Sequence, residues 1–153
     1  MARRRGPEVK NITIESHKKE YLQALDKVAE AVLASWGMTA ESSAKEIITE
    51  KNIFDTGLLR NSITWAVAGK APHIKTYKAQ NGIGSGRYEG MAEADEGGAR
   101  HVYIGTNVEY AMIHEVGGAK IKARPYLRPA IDENRKEFKR LLEEALKEAM
   151  AND

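Results

Sequence analysis

The sequence predicts an α+β fold, with helices near both ends of the chain and a few strands between them. Three observations lead to this class. Apolar residues recur at helical spacing in 16–36 and again from Pro129 to about Met150. β-forming residues alternate in 63–69 and 101–106, which is typical of strands. Between these strands lies 70–100, a long stretch rich in glycine that predicts a loop or a hairpin arm.

The length and composition favour a single domain over residues 1–153. Residues 1–11 of it form a polar, basic arm. The chain has 24 basic and 22 acidic residues, so its net charge of +2 gives no general attraction to nucleic acid or membranes. It has no cysteine, which excludes disulfides and thiolate zinc sites. No apolar run is long enough to span a bilayer, so no membrane is expected as a partner. No apolar stretch follows the basic start, so we expect no export signal and a protein that stays in a reducing cytoplasm until lysis.

Two N-terminal helices are predicted. The first covers 16–36, with Ser16 as its N-cap and a stripe of apolar residues along one face. Gly37 is expected to end it, because glycine is the usual residue in a left-handed position after a helix. Thr39 is then expected to cap a second helix that ends near Asn52.

The rest of the chain predicts shorter elements and one long helix. A weak alternation at 73–77 allows a hairpin within 70–100, and 110–116 suits a short helix stopped by Gly117. Residues 120–124 fit either a third strand or an extended connector. Pro129 is expected at the first position of the C-terminal helix, where its missing N–H is tolerated.

The tripeptide Asp55-Thr56-Gly57 is spelled like the active site of aspartic proteases. Such a site needs a paired carboxylate that shares one proton and a body rich in strands. Here the tripeptide is followed by helix-forming residues, and much of the chain predicts helix. We therefore interpret Asp55 and Gly57 as a structural cap, with Asp55 accepting backbone N–H bonds at the start of a one-turn helix. A local pair between Asp55 and Arg60 would support the same turn.

No other motif predicts catalysis, a cofactor or a metal. The glycines of 82–86 lack the preceding buried strand and following helix that a phosphate loop needs. His17, His73, His101 and His114 do not lie at a metal-ligand spacing. No serine lies in a nucleophile elbow. The sequence therefore predicts a protein that is not an enzyme and has no small-molecule substrate.

Arg3, Arg4 and Arg5 form a dense basic run in the N-terminal arm. They could bind DNA phosphates, although no groove-reading motif or stacking aromatic accompanies them. A DNA-binding accessory protein that uses this arm is therefore the alternative function.

Three segments, taken in their order along the chain, resemble one protein family. The first is Asp-Thr-Gly-Leu-Leu-Arg-Asn-Ser-Ile at 55–63, and the second is Val-Tyr-Ile-Gly-Thr-Asn-Val-Glu-Tyr-Ala at 102–111. The third is Glu-x-Gly at 115–117, followed by Ala-Arg-Pro-Tyr-Leu-Arg-Pro-Ala at 123–130. In this order and spacing they resemble the tail-component family of long-tailed bacteriophages, the neck or tail-completion proteins encoded between the head genes and the major tail protein. The resemblance covers about 16–150.

The resemblance implies a structural protein of the virion, assembled in the host cytoplasm and without catalysis. It implies a small, mostly antiparallel sheet with helices packed on it, and a homo-oligomeric ring, commonly a hexamer, that joins the head–tail connector to the tail tube. Contact with packaged DNA is open in this picture. A ring needs two different surfaces on each protomer, and 70–100 is the natural extended arm for one of them. Arginine and tyrosine are enriched at interface hot spots. The candidate interface residues are accordingly Arg124, Tyr126, Arg128, Tyr77 and Tyr88. Alternatively, 125–129 only sets the angle at which the last helix begins.

Overall fold

The computed structural model describes residues 17–53, 57–68, 73–79, 84–90 and 101–151, with the backbone alone at 73–75 and 88–90. It confirms the α+β class. In chain order, the described elements are α1 (Lys18–Glu50), α2 (Leu58–Ser62), β1 (Thr64–Val67), β2 (His73–Lys78), β3 (Ser85–Gly90), β4 (Val102–Gly105), α3 (Ala111–Val116) and α4 (Leu127–Ala151).

The N-terminal region is one continuous helix rather than two. α1 runs for 33 residues, and Gly37 lies buried in its interior instead of ending it. A Cβ atom at Gly37 would lie 2.8 Å from Cδ2 of Trp65, so glycine is required for the ring of β1 to pack directly on the helix backbone. Thr39 is not a cap either, because its hydroxyl donates to the Ser35 carbonyl 3.0 Å away within the same helix.

Replacing Gly37 with alanine tests this packing. Alanine favours a helix over glycine by about 1 kcal/mol, but displacing a packed side chain costs about 1–3 kcal/mol. We expect Gly37→Ala to lower the free energy of unfolding in urea. In a Trp65→Ala background the same change should instead raise it, because only the helix preference remains. A more stable single variant would contradict the close packing of Trp65 on α1.

α1 ends as the sequence predicts, near Asn52. Asn52 has a left-handed backbone with φ of 53°, a conformation that asparagine tolerates better than most residues. Its N–H donates to the Thr49 carbonyl at 3.1 Å, and the Ile53 N–H donates to the Ile48 carbonyl at 3.0 Å. These two bonds form a Schellman motif, and Ile53 and Ile48 share the core cluster, as this motif usually requires.

The described strands form two antiparallel pairs. β1 pairs with β4 from Thr64 opposite Gly105 to Val67 opposite Val102. β2 pairs with β3 as a hairpin from His73 opposite Gly90 to Lys78 opposite Ser85, which confirms the hairpin predicted within 70–100. Residues 120–124 form a connector and not a strand. Pro129 is the third residue of α4, where the first turn still lacks N–H partners within the helix.

The core lies where the end of α1 meets the shorter elements and the start of α4. Its buried members are Ala44, Ile47, Ile48, Ile53, Leu59, Ile63, Ala111, Tyr126 and Ala130. Further along, the rings of Trp36 and Phe138 lie 4.8 Å apart and join the two long helices. Tyr21 and Ala149 line one surface cavity, so α1 and α4 run antiparallel. Within the described residues, no helix is both long and apolar enough to cross a membrane.

Candidate functional site

The carboxylate of Glu115 caps the start of α4. Its Oε2 accepts N–H bonds from Tyr126 at 2.8 Å and Leu127 at 3.0 Å, and its Oε1 accepts one from Arg128 at 3.0 Å. These N–H groups have no partners within the helix, and a negative charge here is favoured by the helix dipole. Glu115 therefore fixes where α4 begins, although Glu115 and the first residues of α4 lie ten or more positions apart in the sequence.

A tight connection brings Glu115 to this position. Gly117 ends α3 with φ of 85°, and its N–H donates to the Ile113 carbonyl at 2.9 Å. The chain then returns along α3, where the Arg124 N–H donates to the His114 carbonyl at 2.7 Å. The ammonium group of Lys51, at the end of α1, donates to the Pro125 carbonyl at 2.6 Å. The Glu-x-Gly segment and the 123–130 segment therefore form one connected unit.

Tyr126 belongs to the core, which corrects its prediction as an interface residue. Its side chain is 1% exposed, and its hydroxyl donates to the Ala111 carbonyl at 3.4 Å. A partner cannot bind the aromatic ring of Tyr126, because residues of the same chain cover it. The alternative interpretation, in which 125–129 sets the start of α4, describes Tyr126 better. Arg124 and Arg128 are exposed and stay candidates for an interface.

Burial, followed by the nearby charge of Glu115, raises the pKa of Tyr126 above its ordinary value of 10.0. In the unfolded chain the phenol loses its proton near that ordinary value, whereas the folded protein retains it. The stabilisation is therefore complete below pH 10.0 and is lost as pH rises further. We expect the melting temperature to fall with pH above this point, and to fall less steeply in Tyr126→Phe. If the melting temperatures of the two proteins, measured by thermal scans at a series of pH values, fall equally with pH, this prediction is wrong.

His114 is a residue of α3 and lies beside the returning connector. Its ring contacts Tyr110 edge-on, with centroids 5.9 Å apart, and its Nδ1 has no hydrogen-bond partner among the described residues. Partial burial, and then the charge of Arg124, lower the pKa of His114. We therefore interpret it as a neutral, packed ring.

The first and second family-like segments meet at the end of β4. The hydroxyl of Ser62 donates to the Leu59 carbonyl at 2.7 Å and also contacts the Thr106 hydroxyl. Thr106 Oγ1 in turn accepts the Val108 N–H at 3.1 Å. These polar groups therefore hold α2 against the turn that leads to α3.

Gly57 lies directly before α2 with a left-handed φ of 74°, and its carbonyl accepts the Asn61 N–H at 3.0 Å. Asp55 lies outside the described residues, so the predicted cap and the predicted pair with Arg60 stay predictions. The Arg60 guanidinium donates to the Thr49 hydroxyl at 3.0 Å, which joins α2 to α1.

Two asparagines fasten the β2–β3 hairpin to the rest of the chain. Asn61 donates to the Lys78 carbonyl at 2.7 Å. Asn107 donates to the Arg87 carbonyl at 3.1 Å and accepts a hydrogen bond from the Tyr77 hydroxyl. The hairpin is thus bound at both strands by residues of the family-like segments.

The prediction of Tyr77 as an interface residue also needs correction, because its side chain is buried. Its side chain is 7% exposed, because its ring lies across Gly86 on the paired strand. A Cβ atom at Gly86 would lie 2.4 Å from the Tyr77 hydroxyl oxygen, so glycine is needed opposite this ring. The side chain of Tyr88 lies outside the described part, as do Arg3, Arg4 and Arg5, and their predicted roles stay predictions.

Removing the Asn107 side chain should release the hairpin. Asn107→Ala loses two hydrogen bonds to β2 and β3, each worth about 0.5–1.5 kcal/mol. We expect faster amide hydrogen exchange in 73–78 and 85–90 and unchanged exchange in the centre of α4. Asn134→Ala is the matched control, because within the described part of the chain Asn134 bonds the Ala130 carbonyl of its own helix and not the hairpin. Equal exchange of the hairpin in both variants would show that Asn107 does not hold it.

An exposed apolar surface covers the outer side of α3 and its connector. Of the nine large apolar side chains exposed in the described part of the chain, five lie between 110 and 121. We call these five the α3 surface: Tyr110, Met112, Ile113, Val116 and Ile121. Met112 and Val116 are one helical turn apart and are 71% and 58% exposed. The sequence predicted the helix but not this surface, because six residues are too few to distinguish the buried side from the exposed side by periodicity.

Across 17–53, 57–68, 73–79, 84–90 and 101–151, no group of three His, Asp or Glu residues could hold a metal ion. Ser62, Thr106, Asn107 and Glu115 of the three segments instead bond backbone groups or other side chains. A comparison of the chain with protein-family models, curated proteins and solved structures finds no match.

Proposed function

We propose that the chain is a structural protein of a tailed phage or prophage. In this proposal it forms part of the head–tail neck or tail-completion ring, joins the connector to the tail tube and performs no catalysis. It is assembled in the host cytoplasm and becomes part of the virion. The sequence resemblance of the three segments motivates the proposal.

One observation supports it most: the three segments come together as one scaffold, and this scaffold leaves the α3 surface exposed. Glu115, Asn107 and Ser62 are all committed to hydrogen bonds that hold elements together. In this proposal the segments are needed to build a shape and not to perform chemistry.

A ring supplies a reason for the exposed surface. In a cyclic oligomer each protomer binds its neighbours through two different surfaces. Exposed contiguous apolar residues bounded by polar ones are typical of protein–protein interaction sites. The α3 surface is therefore a candidate for one of these two surfaces.

The mass of the purified protein tests the proposal. Light scattering over a concentration series should detect a closed oligomer, either alone or after addition of the tail-tube protein from the same genome. A protein that stays a monomer at all concentrations and binds neither tube nor connector would contradict the proposed function. Mass spectrometry of purified particles should in addition detect the chain in the virion.

A further inference from the structure

The α3 surface has a basic rim. Lys120, Lys122 and Arg124 are exposed on the connector that follows it, and Arg128 is exposed in the first turn of α4. Two of the nearby acidic groups are already engaged. Glu115 accepts three backbone N–H bonds, and Asp132 accepts a hydrogen bond from Arg135 at 3.3 Å. A partner of this surface must therefore match apolar side chains together with positive charge.

A groove beside the α3 surface adds shape to this chemistry. It has a volume of about 430 Å³ and is lined by Val116, Ala123, Pro125 and Pro129. The guanidinium of Arg128 and the carboxylates of Glu115 and Asp132 complete the lining. Apolar atoms of Val116 and the two prolines form much of this lining, while the guanidinium is available to an anion. The groove therefore suits an apolar side chain, and Arg128 beside it suits a carboxylate that follows in the same segment.

The chain itself carries a segment of matching chemistry. Residues 91–96 read Met-Ala-Glu-Ala-Asp-Glu, with three acidic residues and no basic one. This segment combines apolar and acidic side chains, which complement the apolar surface and its basic rim. A ring built from one sequence must carry both partners of its interface on each copy.

We infer that the α3 surface binds residues 91–96 of a second copy of this chain. The methionine and alanines meet Met112, Val116 and the groove, and the carboxylates pair with Lys120, Lys122 and Arg124. This inference rests on the proposed ring and names the interface within it. Complementary charge at such a rim chiefly selects the partner and accelerates association, so assembly should weaken as salt rises.

Cysteine cross-linking identifies the occupant, and the natural chain has no cysteine that would interfere. Val116→Cys and Ala94→Cys are purified separately, mixed and treated with a short bifunctional maleimide. We expect a covalent dimer from this mixture and much less from Val116→Cys mixed with Lys147→Cys on the solvent side of α4. A link that forms only inside a chain carrying both cysteines would overturn the second copy as the occupant.

Substitution of the surface measures its contribution. Met112→Gln combined with Val116→Gln should weaken self-association by at least about tenfold, which corresponds to 1.4 kcal/mol. Met150→Gln is the matched control, because Met150 is 62% exposed but lies near the end of α4. Circular dichroism checks that each variant is folded.

Exchange of charge tests the pairing. Lys120→Glu with Lys122→Glu should weaken assembly, and so should Glu93→Lys with Asp95→Lys. All four changes in one chain should restore it, because each new charge meets its opposite on the neighbouring copy. Failure of the combined variant to recover would overturn the charge pairing.

The outcomes separate this inference from the proposed function. If the natural chain assembles and the Met112→Gln/Val116→Gln variant assembles equally well, the ring stands and this interface is wrong. If that variant still self-associates but no longer binds the tail-tube protein, the surface belongs to the tube and not to a second copy. If the natural chain never assembles, alone or with the tube and connector proteins, the proposed function itself fails.

Discussion

Tyr126→Ala should lower the free energy of unfolding by about 3–5 kcal/mol, the range for deleting a large buried side chain. Among the described residues, Tyr126 is the largest of the fully buried side chains, and it lies among residues of α1, α2 and α3. Its removal leaves a cavity that these rigid elements cannot fill by moving together. Urea unfolding followed by circular dichroism measures the loss.

Tyr103→Ala is the control, because Tyr103 is 51% exposed on β4. We expect its effect to be small. A Tyr126→Ala protein that is as stable as this control but no longer assembles would show that the Tyr126 side chain binds a partner. That result would restore the interpretation of Tyr126 as an interface residue.

Glu115→Ala should lower the free energy of unfolding by about 2 kcal/mol, near the top of the range for loss of a helix cap. The variant leaves the N–H groups of Tyr126, Leu127 and Arg128 without the carboxylate that accepts them. For a chain of this size we expect the melting temperature to fall by about 4–8 °C. Thermal unfolding in the calorimeter measures it.

Glu115→Gln should fall between the natural protein and Glu115→Ala, because the amide keeps one acceptor oxygen but loses the negative charge at the helix start. Glu133→Ala is the control, an exposed acidic residue within α4 itself. If Glu115→Ala and Glu133→Ala have the same melting temperature, the cap contributes little to stability. Water then accepts hydrogen bonds from the three N–H groups equally well.

The local elements could be predicted from the sequence because they depend on neighbouring residues. Alternating β-formers at 63–69 and 101–106 correctly predicted β1 and β4, and the weak pattern at 73–77 predicted the hairpin. Asn52 and Gly117 correctly predicted the ends of α1 and α3, since each adopts a positive φ that few residues tolerate. The site was predicted less well: Arg124 and Arg128 are exposed, but Tyr126 and Tyr77 are buried.

The failures have a common physical origin. Gly37 was predicted to end a helix because glycine has a poor helix propensity. In the structure the ring of Trp65, 28 positions further along the chain, packs against it, and this close approach outweighs the local preference. Tyr126 and Tyr77 were predicted to bind a partner because tyrosine is enriched at interfaces, whereas this chain covers both rings with its own residues.

By itself, the sequence determined the fold class and the approximate extents of most short elements, and it motivated the proposed function. Only the tertiary structure decided which of those residues are committed to the scaffold and which are exposed. Glu115 shows the reason, because its carboxylate acts on backbone groups that a turn returns to it from a distance along the chain. The α3 surface shows the same, since its exposure depends on where α1 and α4 lie and not on the pattern of its own six helical residues.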